Sequence, residues 1–228
     1  MFRTQKIVGF LLLTLLTFSL DGFAQERYVL PVDKAKNDPS LARFRAKLIE
    51  ATREKNQNFI LSIIDKDIKN SFGGDDGKES FKTIWHIERK DSSFWEEFLS
   101  VITNGGAFYK ESGNQKTFCA PYSFMVFPED LDAFEYSIVF GENINLRSQP
   151  NLLAPVVAKL SYNVIKADYE NSADDGRNEN SYVWVKVTTL GGKTGFIVSR
   201  YVRSPIGYRA CFQKLKGAWK MTAFIAGD

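Results

Sequence analysis

The side chains best suited to chemistry in this chain are two cysteines, Cys119 and Cys211, and its one histidine, His86. A cysteine nucleophile needs a neighbouring base, so a Cys119–His86 pair has the composition of a Cys/His hydrolase site. His86, however, follows Trp85 at the end of a predicted helix, Cys119 falls in the middle of a predicted strand, and no family motif surrounds either. We therefore predict no catalytic residue and no enzyme, with an unrecognised hydrolase as the alternative.

Acidic residues in the glycine-rich segment GGDDG, residues 73–77, raise the question of a calcium site. An EF-hand loop needs oxygen ligands at its positions 1, 3 and 5. In a loop that began at Asp65 and ran into this segment, the fifth position would be Lys69, which offers no such ligand. Asp76 with Glu79 three residues later is instead typical of a helix start. We predict no metal site and no cofactor.

The first 24 residues have the pattern of a secretory signal peptide: basic residues, an apolar run over residues 7–20, and small residues before a cleavage point between Ala24 and Gln25. A membrane anchor is the alternative, but this run is short for a membrane span. We therefore expect an exported protein, periplasmic or extracellular, with no membrane span after cleavage. A formal net charge of +3 gives no electrostatic reason to expect nucleic acid or an anionic membrane as partner.

Export also favours a disulfide between the two cysteines, because disulfides persist outside the cytoplasm and two cysteines allow one internal bridge. A Cys119–Cys211 bridge would close a loop of about 92 residues, which the chain-entropy model values at on the order of 4 kcal/mol. Two buried free thiols remain the alternative, since sequence does not show proximity.

The elements that must position these residues begin after an irregular, flexible lead at residues 25–37. The pattern predicts four helices: one that starts after Asp38, one over Asn58–Asn70, one that starts at the Asp76–Glu79 pair, and one with a capping box from Ser93 to Glu96. Strand-like runs follow, AFYK, TFCAPYSFMVF and FEYSIVF, with Pro121 marking an edge or a bend. Residues 38–140 are thus a predicted helical α+β domain. Its order of elements is similar to the cystatin-like cone of nuclear-transport-factor-like proteins.

Residues 141–203 contain an ordered series of motifs that resembles a bacterial SH3-like domain of exported cell-envelope proteins. The opening N-x-N-x-R-x-x-P is followed by four short blocks, and the matching residues are Asn143, Asn145, Arg147, Pro150, Val156, Val157, Leu160, Trp184, Lys186, Val187, Gly195, Phe196, Ile197, Tyr201 and Val202. Alternating apolar residues between turns favour a small closed β-barrel here. Asn163 stands where the family usually has glycine, and asparagine tolerates the positive φ of that turn. The polar insertion at residues 170–181 predicts a surface loop.

The resemblance implies binding of peptides or peptidoglycan through an aromatic groove. The candidate contact residues are Tyr162, Tyr169, Tyr182, Trp184 and Tyr201. The alternative for Trp184 is that its indole only packs the barrel.

The tail at residues 205–228 alternates like a hairpin, with Lys216 and Gly217 at its turn. Because the SH3-like series is complete before it, we predict that the hairpin returns to the sheet of the first domain, which makes the SH3-like module an insertion. A bridge from Cys211 to Cys119 would then lie inside that discontinuous domain.

The sequence thus predicts an exported, non-catalytic binding protein whose SH3-like module recognises a cell-wall glycan-peptide or an envelope protein. Two alternatives stay open: a cell-wall hydrolase that uses the first domain, and a structural interaction protein whose barrel only supports the larger domain.

Overall fold

The computed structural model describes residues 25–110, 116–174 and 182–227, and over these ranges the chain is an α+β protein with two sheets. The predicted signal peptide, residues 1–24, lies outside the described residues. The helices are α1 (Pro39–Arg53), α2 (Gln57–Ile63), α3 (Lys78–Trp85), α4 (Phe94–Ile102) and α5 (Tyr122–Val126). The strands are β1 (Ile64–Lys69), β2 (Ala107–Lys110), β3 (Lys116–Ala120), β4 (Tyr136–Val139), β5 (Ile144–Arg147), β6 (Val156–Leu160), β7 (Val164–Asp174), β8 (Tyr182–Thr189), β9 (Thr194–Val198), β10 (Val202–Arg203), β11 (Arg209–Leu215) and β12 (Ala218–Ile225).

The first sheet has the strand order β1-β12-β11-β3-β2, and only β1 and β12 run parallel. The C-terminal hairpin β11–β12 therefore lies in the centre of this sheet, so its predicted return there is confirmed. Its turn is at Lys216 and Gly217, which both have positive φ, 48° and 85°. That is the conformation of the tight turns that match the twist of a hairpin.

One face of the first sheet packs against the helices. Alternate residues of the central strands point to this face, because successive side chains of a strand point to opposite sides. The shared core contains Leu41, Leu48, Ile60, Ile63, Phe81, Trp85, Phe94, Phe98, Phe118, Ala120, Ala210, Phe212, Met221 and Phe224. Cys119 and Cys211 are the intervening residues, so they lie on the face away from the helices.

The predicted helix over Asn58–Asn70 is wrong in its second half, because α2 ends at Ile63 and β1 follows directly. Ile64 and Ile68 are both buried, and a spacing of four residues places side chains on one face of either a helix or a strand. These residues form a strand rather than a helix because they pair in parallel with β12, a partner about 150 residues away along the chain.

The helix starts differ from the predictions in their capping. Asp38 does cap α1, and its carboxylate accepts hydrogen bonds from the backbone N–H of Ser40 and Leu41 at 2.8 and 3.1 Å. Gly77 rather than Asp76 is the N-cap residue of α3, and Ser93 makes no side-chain cap on α4. The predicted capping pair and capping box are therefore wrong, although both helices form.

The predicted strand TFCAPYSFMVF ends at Ala120, and Tyr122–Val126 is the short helix α5. Proline has no N–H to donate to a neighbouring strand, so Pro121 ends the pairing. The strand within FEYSIVF does form as β4, but it pairs with β7 and β10 of the second sheet rather than with β2 or β3.

The second sheet has the strand order β10-β4-β7-β8-β9-β5-β6. Among the described residues no ladder joins the end strands β10 and β6, so the sheet is open in these pairings and a closed barrel is not seen. Its core contains Val139, Leu146, Leu160, Ile165, Val185, Val187 and Ile197. The division of the chain into domains remains a prediction.

Two local expectations for this sheet need correction. Tyr162, with φ of 58°, holds the left-handed conformation that we expected at Asn163. The buried Asn163 side chain instead accepts a hydrogen bond from the Ser161 N–H at 2.7 Å. The insertion expected to be a loop from residue 170 starts as strand, because β7 continues to Asp174; residues 175–181 lie outside the described part.

The lead at residues 25–37 is irregular, as predicted, but it is hydrogen-bonded to both sheets. The Val29 N–H donates to the Tyr162 carbonyl and the Val164 N–H donates to the Arg27 carbonyl, both at 2.8 Å. Farther along, the Gly106 N–H donates to the Val32 carbonyl at 2.8 Å. This segment therefore ties the second sheet to the first.

Within the described ranges, no helix has the length and apolar character that crossing a membrane requires.

Candidate functional site

Two of the five candidate aromatic residues line one groove on the second sheet. Trp184 comes from β8, and Tyr201 comes from a single 3-10 turn, Ser199–Tyr201, that follows β9. The groove has a volume of about 210 Å³. We call it the Trp184–Tyr201 groove, and its lining residues are Asn143, Ile144, Asn145, Arg147, Leu152, Trp184, Val198, Arg200 and Tyr201.

Trp184 is packed against the sheet and also lines the groove. Its neighbour Val185 points into the core of the sheet, and the alternation along β8 turns Trp184 to the other face. Trp184 is opposite Val198 of β9 and is 8% exposed. The indole is therefore mostly packed, and only a part of it forms the groove wall.

Positive charge in this groove comes from Arg147 and Arg200. The Arg200 guanidinium carbon lies 4.9 Å from the centre of the Tyr201 ring, and Arg200 donates to the Tyr201 hydroxyl at 3.1 Å. Arg147 donates to the Ala154 carbonyl at 2.7 Å. No acidic residue lines the groove among the described residues. Arginine recognises carboxylates through several N–H donors, so the groove can hold an anionic group beside an aromatic wall.

Arg200 is a candidate residue of the groove that was not predicted from the sequence. It directly precedes Tyr201, which belongs to the quoted motif, but the motif gives no reason to single out the arginine. The sequence feature that could have indicated Arg200 is its position directly before Tyr201, because an arginine next to an aromatic residue in a turn can stack on it.

The other three candidate tyrosines do not join the groove. Tyr169 is 45% exposed on β7 and lines none of the cavities described for these residues. The Tyr182 side chain lies outside the described part of the structure. Tyr162 lies in a separate cleft of about 390 Å³ between the two sheets, the Tyr122 cleft, lined by Pro31, Val32, Asp33, Thr103, Asn104, Gly105, Tyr122, Phe140, Gly141 and Tyr162.

Of the two tyrosines of the Tyr122 cleft, Tyr122 is buried and Tyr162 is half-buried. Burial raises the pKa of Tyr122 far above its ordinary value, and Tyr162 adds to this effect. Burial, with the nearby Glu142 carboxylate, also raises the pKa of Tyr162. Tyr122 stacks on Phe140 with ring centres 5.2 Å apart. Both phenols therefore stay neutral, and the cleft carries no tyrosinate charge.

A third cavity shares Arg200 with the groove, and Asn104 and Phe140 with the Tyr122 cleft. This Arg203 cleft, of about 380 Å³, is lined by Glu96, Glu97, Ser100, Asn104, Phe140, Ser199, Arg200, Val202 and Arg203. Arg203 donates to Glu97 of α4 at 2.9 Å and to the Tyr208 carbonyl at 2.6 Å. Arg200 lines both this cleft and the groove.

The Cys/His pair considered from the sequence is not present as a dyad. The Cys119 and Cys211 sulfurs form a disulfide between directly opposed residues of β3 and β11, so the predicted bridge is confirmed. Cys119 is fully buried, whereas the His86 side chain is 62% exposed at the end of α3, with Nδ1 3.6 Å from the Glu88 carboxylate. The bonded sulfur is not available as a thiolate nucleophile.

Within residues 25–110, 116–174 and 182–227, no three side chains of His, Cys, Asp or Glu come together as a possible metal site. In the GGDDG segment, Asp76 accepts from the Asn70 N–H at 3.1 Å and pairs with Lys69. The Lys69 hydrogen bond lowers the pKa of Asp76, which is the behaviour of a structural ion pair.

Comparisons of the chain with protein-family models, characterised proteins and solved structures give no significant match.

Proposed function

We propose that this is an exported, non-catalytic binding protein whose second sheet is an SH3-like module that binds a stem peptide of peptidoglycan. The observation that carries the proposal is the Trp184–Tyr201 groove, in which an aromatic wall and two arginines meet without an acidic neighbour among the described lining residues. The ordered motifs from Asn143 to Val202 support the SH3-like assignment.

The size of the groove favours a peptide over a compact small molecule. Small-molecule pockets are typically about 300–1,000 Å³, and about 210 Å³ is smaller than this. One residue of an extended peptide fits such a volume, and the Arg203 cleft, which shares Arg200 with the groove, is a second cavity available to the rest of the peptide. A stem peptide carries free carboxylates, which match Arg147 and Arg200 better than a neutral segment does.

Exposed apolar residues beside the groove support a binding role at this end of the sheet. Leu152 lines the groove and is 70% exposed, and its neighbour Leu153 is 96% exposed. Val156 and Val157 of the end strand β6 are 45% and 48% exposed. Neighbouring exposed apolar side chains are typical of interaction surfaces.

Export is proposed on the leader pattern of residues 1–24, and the Cys119–Cys211 disulfide supports it, because such bonds persist in oxidising compartments. In that location the protein meets the cell wall directly.

Sedimentation with insoluble peptidoglycan tests the proposal. We expect the purified protein to sediment with the wall without release of soluble fragments, and Arg200→Glu to reduce the bound fraction. Lys193→Glu is the matched control, since Lys193 is an exposed cation on the same sheet outside the groove.

Each other outcome has a distinct meaning. Release of soluble wall fragments would establish a hydrolase instead. Retention that Arg200→Glu does not change would exclude the groove as the site. Absence of retention, with capture of an envelope protein, would replace the stem peptide by a protein segment as ligand.

A further inference from the structure

The Tyr122 cleft, of about 390 Å³, shares no lining residue with the proposed peptide groove. Five separate segments of the chain build it: residues 31–33 of the lead, residues 103–105 after α4, Tyr122 of α5, residues 140 and 141 after β4, and Tyr162 between β6 and β7. Ligand sites are common where separately packed parts of a protein meet. The position of this cleft between the two sheets is therefore suited to binding.

The hydroxyl of Tyr122 is a polar group that the fold leaves unpaired. Tyr122 is 2% exposed, and its hydroxyl oxygen is buried without a hydrogen-bond partner among the described residues. Most buried polar side-chain atoms have a partner, because leaving one unpaired costs free energy. Tyr162 acts on the pKa of Tyr122, so the two phenol groups are near each other, and both line the cleft. A ligand in the cleft can therefore pair with the Tyr122 hydroxyl.

Tyr162 occupies the cleft through a backbone conformation that tyrosine rarely adopts. Its φ of 58° lies in the left-handed region, which asparagine enters more readily than an aromatic residue does. The Tyr162 N–H donates to the Gly141 carbonyl at 3.2 Å, and the Tyr162 carbonyl accepts from the Val29 N–H at 2.8 Å. Such costly conformations are concentrated at functional sites, so Tyr162 is a second, independent reason to expect a ligand here.

The charges around the cleft favour an uncharged ligand. Both tyrosines stay neutral, and within the described ranges Asp33 is the one charged residue that lines the cleft. Its carboxylate already accepts from Arg45 at 2.7 and 2.6 Å and from the Ala35 N–H at 3.1 Å. An anion would thus find no lining cation among these residues, and a cation would find only a carboxylate that is already paired.

Thr103 and Asn104 add hydrogen-bond acceptors to the cleft. The Thr103 hydroxyl donates to the Leu99 carbonyl at 2.7 Å, and the Asn104 amide donates to the Ser100 carbonyl at 2.6 Å. These bonds use donors of the two side chains, so their oxygen atoms keep lone pairs for a ligand. Together with the Tyr122 hydroxyl, these acceptors suit a compact ring that has several hydroxyl groups.

We propose that the Tyr122 cleft binds one uncharged sugar ring, an N-acetylhexosamine of the cell-wall glycan. The apolar C–H face of the sugar contacts the Tyr162 ring, and its acetamide carbonyl accepts from the Tyr122 hydroxyl. Its hydroxyls donate to Thr103 and Asn104. A volume of about 390 Å³ is within the range of small-molecule sites. The choice of the wall glycan as source rests on the proposed function, whereas the sugar site itself rests on the cleft.

NMR titration with tri-N-acetylchitotriose, an uncharged trimer that has no stem peptide, tests the site. We expect saturable shifts of the Gly105 and Gly141 amide signals, with one trimer bound per chain. Tyr122→Phe should weaken this binding by about tenfold, because it removes one hydrogen bond and keeps the ring. The same variant should melt at an unchanged or higher temperature, because the hydroxyl has no partner among the described residues.

Tyr162→Asn removes the aromatic wall and keeps a residue that tolerates positive φ, so it should also weaken trimer binding by about tenfold. A thermal melt checks that this variant is folded. Tyr169→Phe is the matched control, since Tyr169 is 45% exposed and lies outside the cleft. It should leave trimer binding unchanged, as should Arg200→Glu in the peptide groove.

Absence of saturable shifts, or equal affinities of Tyr122→Phe and Tyr169→Phe for the trimer, would overturn the sugar site. Cellotriose, which has no acetamide groups, tests the source of the sugar and should bind about tenfold more weakly. Equal affinities for the two trimers would contradict the choice of an N-acetylhexosamine. Trimer binding without binding of a stem peptide would support the sugar site and contradict the peptide groove, so the two proposals can be distinguished.

Discussion

At the scale of single residues, Arg200 and Tyr201 define the character of the proposed peptide groove. The guanidinium carbon of Arg200 lies over the Tyr201 ring, 4.9 Å from its centre, and the hydroxyl accepts a hydrogen bond from the same side chain. This arrangement reduces the rotamer freedom that Arg200 would otherwise lose when it binds a carboxylate.

Two substitutions of Tyr201 distinguish the contribution of its ring to peptide affinity from that of its hydroxyl. Tyr201→Phe keeps the stacking surface and should lower peptide affinity by less than about fivefold, whereas Tyr201→Ser removes the surface and should lower it by about tenfold or more. Titration of a stem peptide into both variants measures the difference. A larger loss in Tyr201→Phe would mean that the hydroxyl, not the ring, makes the main contact.

Ionisation of Asp33 makes the stability of the folded protein depend on pH. Burial raises its pKa, but hydrogen bonds from Arg45, at 2.7 and 2.6 Å, and from the Ala35 N–H outweigh this, so its pKa is lowered in the folded protein. A carboxyl with a lowered folded pKa adds stability above its unfolded pKa of about 3.9, and this is lost as the pH falls through the folded value.

We therefore expect Asp33→Asn to lower the free energy of unfolding by on the order of 1 kcal/mol at pH 6 and by less at pH 3. Urea unfolding at the two pH values measures this. Asp91→Asn, which removes a solvent-exposed partner of Arg89, is the control and should change little. If Asp33→Asn lost the same unfolding free energy at pH 3 as at pH 6, this would contradict the assignment of a lowered pKa to Asp33.

At the scale of secondary-structure elements, the disulfide joins β3 to β11 across about 90 residues, which include the whole second sheet. The loop that it closes is long, so its removal should enlarge the unfolded ensemble substantially. A double Cys119→Ser, Cys211→Ser variant should lose on the order of 4 kcal/mol of unfolding free energy, measured in urea. A loss below about 1 kcal/mol would show that the strands are held by packing alone.

The sequence predicted elements where the information is local and failed where it is not. The hairpin β11–β12 could be predicted because alternation and a Lys-Gly turn lie within 21 residues, and two cysteines limited the possible bridge to one. The strand β1 could not, because Ile64 and Ile68 fit a helix equally well and only the distant β12 decides.

Only part of the candidate site could be predicted, again because some of the information is not local in the sequence. The resemblance pointed to Trp184 and Tyr201, which line one groove, and also to Tyr162, which lines the Tyr122 cleft instead. Which side of a turn a tyrosine occupies depends on φ at that residue, and the positive φ of Tyr162 was expected one residue later.

At the scale of the whole molecule, the segment at residues 25–34 connects the two sheets. Besides its backbone hydrogen bonds, Glu26 accepts from the Thr189 hydroxyl at 2.7 Å and from the Asn163 amide at 3.2 Å. Gly191 lies so close that a Cβ there would be 2.6 Å from the Glu26 carboxylate. The start of the described chain is thus part of the packing between sheets.

Removal of residues 25–32 should therefore lower the melting temperature and increase amide exchange in β7 and in the residues next to Gly106. Hydrogen exchange with mass spectrometry measures both regions in one experiment. The matched substitution Gly191→Ala should have a smaller effect in the same direction near Glu26. Unchanged exchange at Gly106 would show that the first sheet does not depend on this segment.

The proposed function requires that the Trp184–Tyr201 groove bind a carboxylate-bearing stem peptide. Calorimetric titration of the purified protein with the synthetic tripeptide L-Ala-γ-D-Glu-diaminopimelate, in acid and amidated forms, tests this claim. We predict saturable binding of one acid peptide per chain, weakened about tenfold by amidation or by Arg200→Glu and unchanged by Lys193→Glu. Absence of binding, or equal affinity for the acid and amidated peptides, would contradict the claim.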